Sequence, residues 1–600
     1  MRVLLMMHLL VIWLGAGPTF ALRQGSPQPP APGRFDGPAE LPRSLVESRL
    51  ANTPAPGRTR VINEGDNLQE AIDSANCGDT LKLHAGATFR GDFQFPQKAC
   101  DQGHWIVVRT SSADSELPAE GKRITPCYAA VASLPGRPDF HCASVRHVMA
   151  RLELAGAGGS GPIRFLPGAN HYRFLGLEIT RPESDASITA LAFLKGPGTA
   201  DHIIFDRVWM HGTAQDETAR GIALRGMTDV AVVDSFFSDF HCVAVTGTCT
   251  DAQTMGNAGG NEPGGPYKIL NNFLEASGEN ILFGGGEATR TPADIEVRHN
   301  FLFKPMIWRP GESGFVGGKS GRPFIVKNHF ELKNAQRVLF EGNVLENVWG
   351  GFSQAGFSIL LTPKNQANHC PLCQVTDVII RYNRINNVAS VLQLANGRSD
   401  AGGASQAGER YSIHDLEVTN IRGQDYEGFG NFALIISGAP PLHDVSIEHV
   451  TALSLPRAIL SIASPPDRKI ENFVIANNIF GSTFFRQIGS TGGGAKNCAF
   501  QPDAQGPAGV LKSCFANLKF VRNLIVGARD WPRDNIVVGD AAGAGISLTQ
   551  EDGTVGYRLC QQKNSGIGCK KVSPALGAAS DGRNIGADFE AIRQATAGVR

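Results

Sequence analysis

The chain carries no charge imbalance. Its 56 basic residues are matched by 56 acidic ones, and no long run of either sign breaks the sequence. A nucleic-acid channel or a binder of anionic membranes needs a positive field, so no nucleic-acid partner is expected. Catalytic signatures are also missing: there is no GxSxG elbow, no HExxH helix and no GxxxxGK[ST] loop. The glycine triplets Gly284 to Gly286 and Gly492 to Gly494 lack the strand, loop and long helix of a nucleotide site and read as turns. Amphipathic helices of ten or more residues are almost absent after Cys77, which argues against a doubly wound α/β sheet. Beyond the first twenty or so residues no segment is apolar enough to span a bilayer, so no membrane span is expected in the mature chain.

What is present begins with export. Arg2, the apolar stretch Val3 to Trp13, a break at Gly15, Gly17 and Pro18, and the small residues Thr19 and Ala21 form a signal-peptide pattern over 1–21. The mature protein is then expected to be secreted or periplasmic. Residues 22–60 are rich in proline, from Pro27 to Pro42, with no apolar period, and read as a flexible or extended leader. The 12 cysteines fit an oxidising compartment and fall into close sequential pairs: Cys77 with Cys100, Cys127 with Cys142, Cys242 with Cys249, Cys370 with Cys373, Cys498 with Cys514, and Cys560 with Cys569. Cys370-Pro-Leu-Cys373 has metal-like spacing, but no second CxxC follows, so a disulfide is expected there and no metal site is predicted.

From residue 61 to 589 the sequence repeats. A short strand pattern ending in Asn or a polar turn recurs in HIIFDRVWM at His202, DVAVVDSFF at Asp229, KILNNFLEA at Lys268, DIEVRHNFLF at Asp294, RVLFEGNVL at Arg337, DVIIRYNRI at Asp377, DLEVTNIRG at Asp415, DVSIEHVTAL at Asp444 and NFVIANNIF at Asn472. In RVLFEGNVL, Val338 and Phe340 alternate inward, Asn343 sits at a corner, and Leu345 starts the next inward set. The corner residues Asn300, Asn343, Asn383, Asn420 and Asn478 would tolerate unusual backbone angles and bond neighbouring rungs. A second strand family follows at Gly221, Asn280, Phe357, Ser390, Phe432 and Ala458, ending in glycine or proline as the bends of a solenoid require. Such strands are too short for isolated hairpins but bury continuous apolar stacks when turns pile up. The fold class predicted is all-β, a right-handed parallel β-helix, handedness following the rule for parallel crossovers. An N-terminal capping helix with the stripe Leu68, Ala71, Ile72 and Ala75 covers one open end. The last helical candidate, Phe589 to Ala597, is expected to close the other, and 590–600 is the C-terminal tail.

The segment VINEGDNLQEAIDSANCGDTLKLHAGATFRG, Val61 to Gly91, resembles the entry of secreted parallel β-helix proteins of the pectate-lyase-like kind, and SPALGAASDGRNIGAD, Ser573 to Asp588, resembles their closing turn. NHFELKNAQRVLFEGNVLENVW, Asn328 to Trp349, is similar to an uncharacterised family of such proteins from soil bacteria. The resemblance implies a solenoid that binds or cleaves acidic polysaccharides. It does not include the arginine-rich signature of classical pectate lyases or their aspartate cluster for calcium, so a calcium cofactor has no signature here.

A lyase acting on an extended polysaccharide or cell-surface glycan needs a cation for the uronic carboxylate, a base for the adjacent carbon-bound proton and a donor for the leaving oxygen. The densest supply runs from Arg298 to Lys333. Lys304, Arg309 and Lys327 are the candidate cations or bases, His299 and His329 the candidate proton-transfer groups, and Trp308 a ring platform, with Lys319, Arg322, Glu331 and Lys333 beside them. Three rival readings stand next to this one. Arg298, Glu341 and Arg381 occupy equivalent repeat positions and could simply stack as a charge ladder. A glycoside hydrolase could pair two carboxylates from Asp206, Asp216, Glu217, Asp234 and Asp239, near His211 and His241, although the paired-aspartate pattern of polygalacturonase-like enzymes is absent. A non-catalytic adhesin or carbohydrate-binding surface would use Trp209, Trp308 and Trp349 as platforms.

Overall fold

The computed structural model describes residues 34–600 except 141, 143, 245–248, 259, 261, 263, 352, 353, 407, 439, 485, 486, 491, 528, 529, 552, 553 and 564–568; the expected signal segment lies outside the described residues. The chain is a parallel β-helix. Each rung contributes strands to three faces, as in Ala335–Glu341 on the first, Val344–Val348 on the second and Phe357–Leu361 on the third. The third face is a 12-stranded sheet. The first two join into one 26-stranded sheet, because strands such as Val375–Val388 and Gly408–Ile421 run across the corner between them.

The alternation read from the sequence holds. Val338, Phe340 and Leu345 are buried in the central core, whereas Leu339 between them faces outward and packs with Ala39 and Leu41. The corner asparagines form a ladder: Asn300 Oδ1 accepts from Asn272 N and Nδ2, Asn343 Oδ1 from Asn300 and Asn383 Oδ1 from Asn343, all at 2.8–3.1 Å. Asn478, Asn523 and Asn535 repeat it further along. The left-handed backbone falls not on these asparagines but on the residue before each, at Asn271, His299, Gly342, Tyr382 and Asn477. Asn420 departs from the expectation: it is itself left-handed and bonds Asn387 rather than the ladder.

The N-terminal cap is α1, Leu68–Ser74, N-capped by Asn67, with Leu68, Ala71 and Ile72 in the core. At the other end the core is closed by α2, Gly506–Cys514, whose Val510 and Leu511 join the core cluster together with Trp531. The helix expected to do this, α3 at Phe589–Ala595, instead lies on the second face. There the chain returns from Gly586, bonded to Asn477 O, past Asp588 N on Asp415, to Ala597 O on His299 Nε2 and Val599 O on Arg123. Gly342 has to be glycine at this crossing, since a Cβ there would lie 2.7 Å from Ala595 O.

The leader also has a fixed place from Arg34 onward. Asp36 bonds Arg381 and His414, Glu40 N bonds Asp377, Arg43 N bonds Asp294, and Val46 packs with Trp105, Ile204 and Ala231. It forms a strap along the first face, antiparallel to the direction in which rungs are added. All six expected cysteine pairs are disulfides and no described cysteine is free.

Candidate functional site

The residues expected to act together are dispersed. Lys304 is fully buried in the turn between the second and third faces, its Nζ donating to the carbonyls of Ala276 and Gly278 and to Asn280 Oδ1 at 2.6–2.9 Å. Burial pushes its ammonium down to about 7, with Glu279 and Glu275 opposing. His329 is buried beside it, bonded to Ser358 Oγ and Glu346 O, and burial lowers it to about 3. Neither side chain reaches solvent. His299 faces the returning C-terminal segment through Ala597 O. Arg309 pairs with Glu312 and lies over Tyr426. Lys319 pairs with Asp216 and Asp185, and Arg322 is exposed. Lys327, Glu331 and Lys333 sit on the third face in a separate network: Lys327 with Asp251 and Glu279, Lys333 with Glu331. The neighbouring carboxylates outweigh burial and raise both lysines, so they stay cationic and are poor bases.

None of the three expected aromatic platforms faces solvent. Trp308 is 1% exposed, and Trp209 and Trp349 are buried as well. The charge ladder on the first face is present, with Glu341 bonded to Arg298 at 2.7 Å and to Arg381 at 2.6 Å. Of the hydrolase set, Asp206 is locked between Arg173 and Arg207 beneath the strap, and Asp234 is capped by Asn271 and Gly121 N.

What the fold does bring together lies on the second face. Strands Ala150–Glu153, Leu177–Thr180 and Trp209–His211 pair in parallel register, with Glu178 beside Arg151 on one side and Trp209 on the other. Outward side chains of successive rungs therefore stand one strand spacing apart, about 4.8 Å. Arg151 Nη2 lies 2.9 Å from Glu178 Oε1, and His211 Nε2 lies 3.0 Å from the same oxygen. His211 Nδ1 meets Gly212 O at 2.7 Å, and its ring stacks on Trp209. Burial works to raise Glu178, but the His211 hydrogen bond and the Arg151 charge outweigh it and hold the carboxyl below its usual range. Arg151 and His211 stay partly open, at 36% and 16% of their side chains. Arg90 and Glu153 continue the row.

The other end of the row is closed. Arg137, from the loop that separates Ile106–Thr110 and Ala150–Glu153, reaches over the face and binds Glu275 bidentately at 2.6 and 2.7 Å and Asp239 at 2.5 Å. Trp308 lies under its guanidinium at 5.4 Å, and His241 packs against Trp308. Burial raises Glu275 despite Arg137, while Asp239, also opposed by burial, is held low by Arg137 and the two histidines. Burial lowers His241 to about 4.

A cation, an orienting carboxylate and an imidazole in three successive rungs can hold a uronic carboxylate and pass a proton. The sequence reading had His211, His241 and Asp239 only as hydrolase candidates, and it missed Arg137, Arg151, Glu178 and Glu275. Arg151 and Glu178 could have been found by extending the repeat upstream of His202, where YRFLGLEIT at Tyr172 has the same period. Arg137 carries no such signal, because it lies in a loop.

The solved structures to which the chain is similar are polysaccharide lyases, a family 28 exopolygalacturonase and an alpha-1,3-glucanase among others. They include a PL6-family alginate lyase, AlyGC, 12% identical with a TM-score of 0.43 over 90% of this chain and 59% of that one. A PL6-family polysaccharide lyase from Pseudopedobacter saltans is 13% identical, with a TM-score of 0.42 over 86% and 98%. A pectate lyase, Pel9A, is 10% identical, with a TM-score of 0.34 over 90% and 97%. No family model matches the sequence, and no curated protein is similar to it. The resemblance of Asn328 to Trp349 to a soil-bacterial family thus has no counterpart in these comparisons. Among the described residues no helix is long and apolar enough to cross a membrane.

Proposed function

We propose that this is a secreted or periplasmic polysaccharide-active protein that takes an acidic glycan along the open end of the second face and cleaves it by β-elimination. The observation that carries the reading is the row Arg151, Glu178, His211 on the second face, where Arg151 and His211 keep part of their side chains exposed. Arg151, with Arg90 behind it, neutralises a uronic carboxylate and so makes the adjacent carbon-bound proton more acidic. His211, with Nε2 on Glu178 and Nδ1 within reach of Gly212 O and the Thr180 hydroxyl, takes the carbon-bound proton as a neutral imidazole and gives it to the leaving oxygen as the glycosidic bond breaks. The six disulfides support export to an oxidising compartment.

One observation favours a second reading, a non-catalytic glycan-binding surface: every carboxylate of the row is already ion-paired, at Glu153, Glu178, Asp239 and Glu275, so none of them is free to act as a base. The test is to incubate the protein with uronic-acid-containing and neutral polysaccharides, with and without calcium, following unsaturated-product absorbance and reducing ends. Elimination gives both signals, and His211→Gln and Arg151→Gln should each cost about 100-fold or more. New ends without absorbance would mean hydrolysis. Saturable binding with neither signal, weakened by Arg151→Gln, would establish the binding surface. Silence across the panel defeats both readings.

A further inference from the structure

Away from the second face, at the entry of the first, two histidines occupy the same position in successive rungs. Tyr172 pairs with Ile106 on one side and Ile203 on the other, so Trp105, His171 and His202 form one outward column, and Asp229 follows in the next rung. Both histidines have left-handed backbones, φ 55° and 54°, a conformation that costs a non-glycine residue energy. Their rings are stacked at 4.3 Å with planes 7° apart.

In each ring one nitrogen is occupied by the preceding residue: His171 Nδ1 bonds Asn170 Oδ1 at 2.8 Å and His202 Nδ1 bonds Asp201 Oδ1 at 2.5 Å. An Nδ1–H given to a side-chain oxygen leaves the Nε2 lone pair for a ligand, the arrangement that fixes metal-binding imidazoles. His171 Nε2 is buried with no hydrogen-bond partner, and so is the indole nitrogen of Trp105, whose ring meets His171 edge-on. Unpaired buried polar atoms are costly, and two side by side mark a place where a polar group is wanting. One ligand atom from each of His171, His202 and Asp201 lies within 4.8 Å of the others.

We propose that His171 and His202 bind a divalent first-row metal of imidazole preference, zinc, copper or nickel, through their Nε2 atoms, with Asp201 as the orienting carboxylate and Trp105 N–H facing the remaining coordination positions. Two nitrogens on one tetrahedral zinc stand about 3.3 Å apart; the parallel rings do not aim at a common point as they stand, so binding requires the partly exposed His202 ring to rotate toward the ion. The metal clips neighbouring rungs together where the strap crosses them. It serves stability rather than the chemistry of the second face.

The experiment is a calorimetric titration of metal-free protein with zinc, paired with thermal unfolding. One equivalent should bind and raise Tm. His202→Gln should weaken binding at least tenfold and abolish the rise, Asp201→Asn should weaken it by about tenfold, and His369→Gln, at an exposed histidine elsewhere, should change nothing. Diethyl pyrocarbonate labelling of the unmodified protein reads the site without a variant: zinc should shield His202 and leave His369 reactive. Equal zinc binding by His202→Gln, no saturable binding to the folded protein, or undiminished labelling of His202 under saturating zinc would each overturn the assignment.

Discussion

Arg137 joins a surface loop to the solenoid through two carboxylates, and its own side chain is only 5% exposed. Removing one partner from a buried ion cluster strands the others in a medium of low polarizability, which costs about 3–5 kcal/mol. Arg137→Met should therefore lower stability by that order in denaturant titration and expose the loop to limited proteolysis; an unchanged midpoint would show that the cluster contributes nothing net. Asn343 is a second such residue. Its side chain accepts from Asn300 and donates to Val297 O and Asn383, and Asn343→Ala leaves buried groups on both adjacent rungs unpaired. A loss of about 1–3 kcal/mol is expected, measurable as a shifted denaturation midpoint with an unchanged m-value. The ladder was legible because its members recur at one place in the repeat. Arg137 was not, because a loop residue three rungs away has no periodic relation to its partners.

The strap is the element whose hold should depend on pH. Its Asp36 accepts from His414, which is flanked on the other side by Asp415. Burial works to lower His414, but the hydrogen bonds and charges of the two aspartates outweigh it and raise the imidazole to about 9 from 6.5. Asp36, opposed by its own burial, is pulled below 3.8 by His414 and Arg381. The raised histidine stabilises the latch fully below its unfolded value of 6.5, and that contribution is lost as pH rises through 9. The lowered carboxyl contributes above 3.8 and is lost as pH falls through its depressed value. The latch is thus strongest between about pH 4 and 6.5. Proteolytic cleavage around residues 34–48 should accelerate as pH is taken from 6 to 10, and His414→Gln should flatten that alkaline limb. The leader's prolines and scant apolar content suggested a flexible or extended chain. Its fixed course depends on Ala39, Leu41 and Val46 meeting outward apolar residues such as Leu339 and Ile204, which a reading of inward alternation alone leaves unmatched.

At the scale of the molecule, the described segments that flank the rungs, from Arg34 onward and from Gly586 to Arg600, run back over the solenoid. The C-terminal return covers an outward row of the second face: Val599 packs with Phe236, Phe273, Phe301 and Val344, and Phe589 and Ile592 pack with Leu453 and Ile479. Ending the chain at residue 572 should leave the parallel sheets intact by circular dichroism and uncover this row, seen as binding of a hydrophobic dye and a tendency to aggregate. Loss of the β signal as well would mean that the return is part of the folding core. Reduction of the six disulfides should loosen loops more than sheets, since each closes a short segment, the longest separation being 23 residues.

The sequence by itself determined the solenoid, its two recurring strand families, the asparagine corners, the N-terminal cap and the cysteine pairs. All of these rest on local periodicity or short separations, in which each residue's role depends on its neighbours a few positions or one repeat away. Only the tertiary structure decided which side chains meet on a face, because the loops between strands differ in length from rung to rung, so residues in register in space lie at no fixed separation in the sequence. Lys304 and His329, close to Arg309 in sequence, turn into the corner and vanish from solvent, whereas Arg151, Glu178 and His211, spread over sixty positions, become neighbours at strand spacing. The coverings of the faces were likewise beyond pattern. The strap, the Arg137 loop and the C-terminal return are single long-range contacts, and non-repeating contacts leave no period to read.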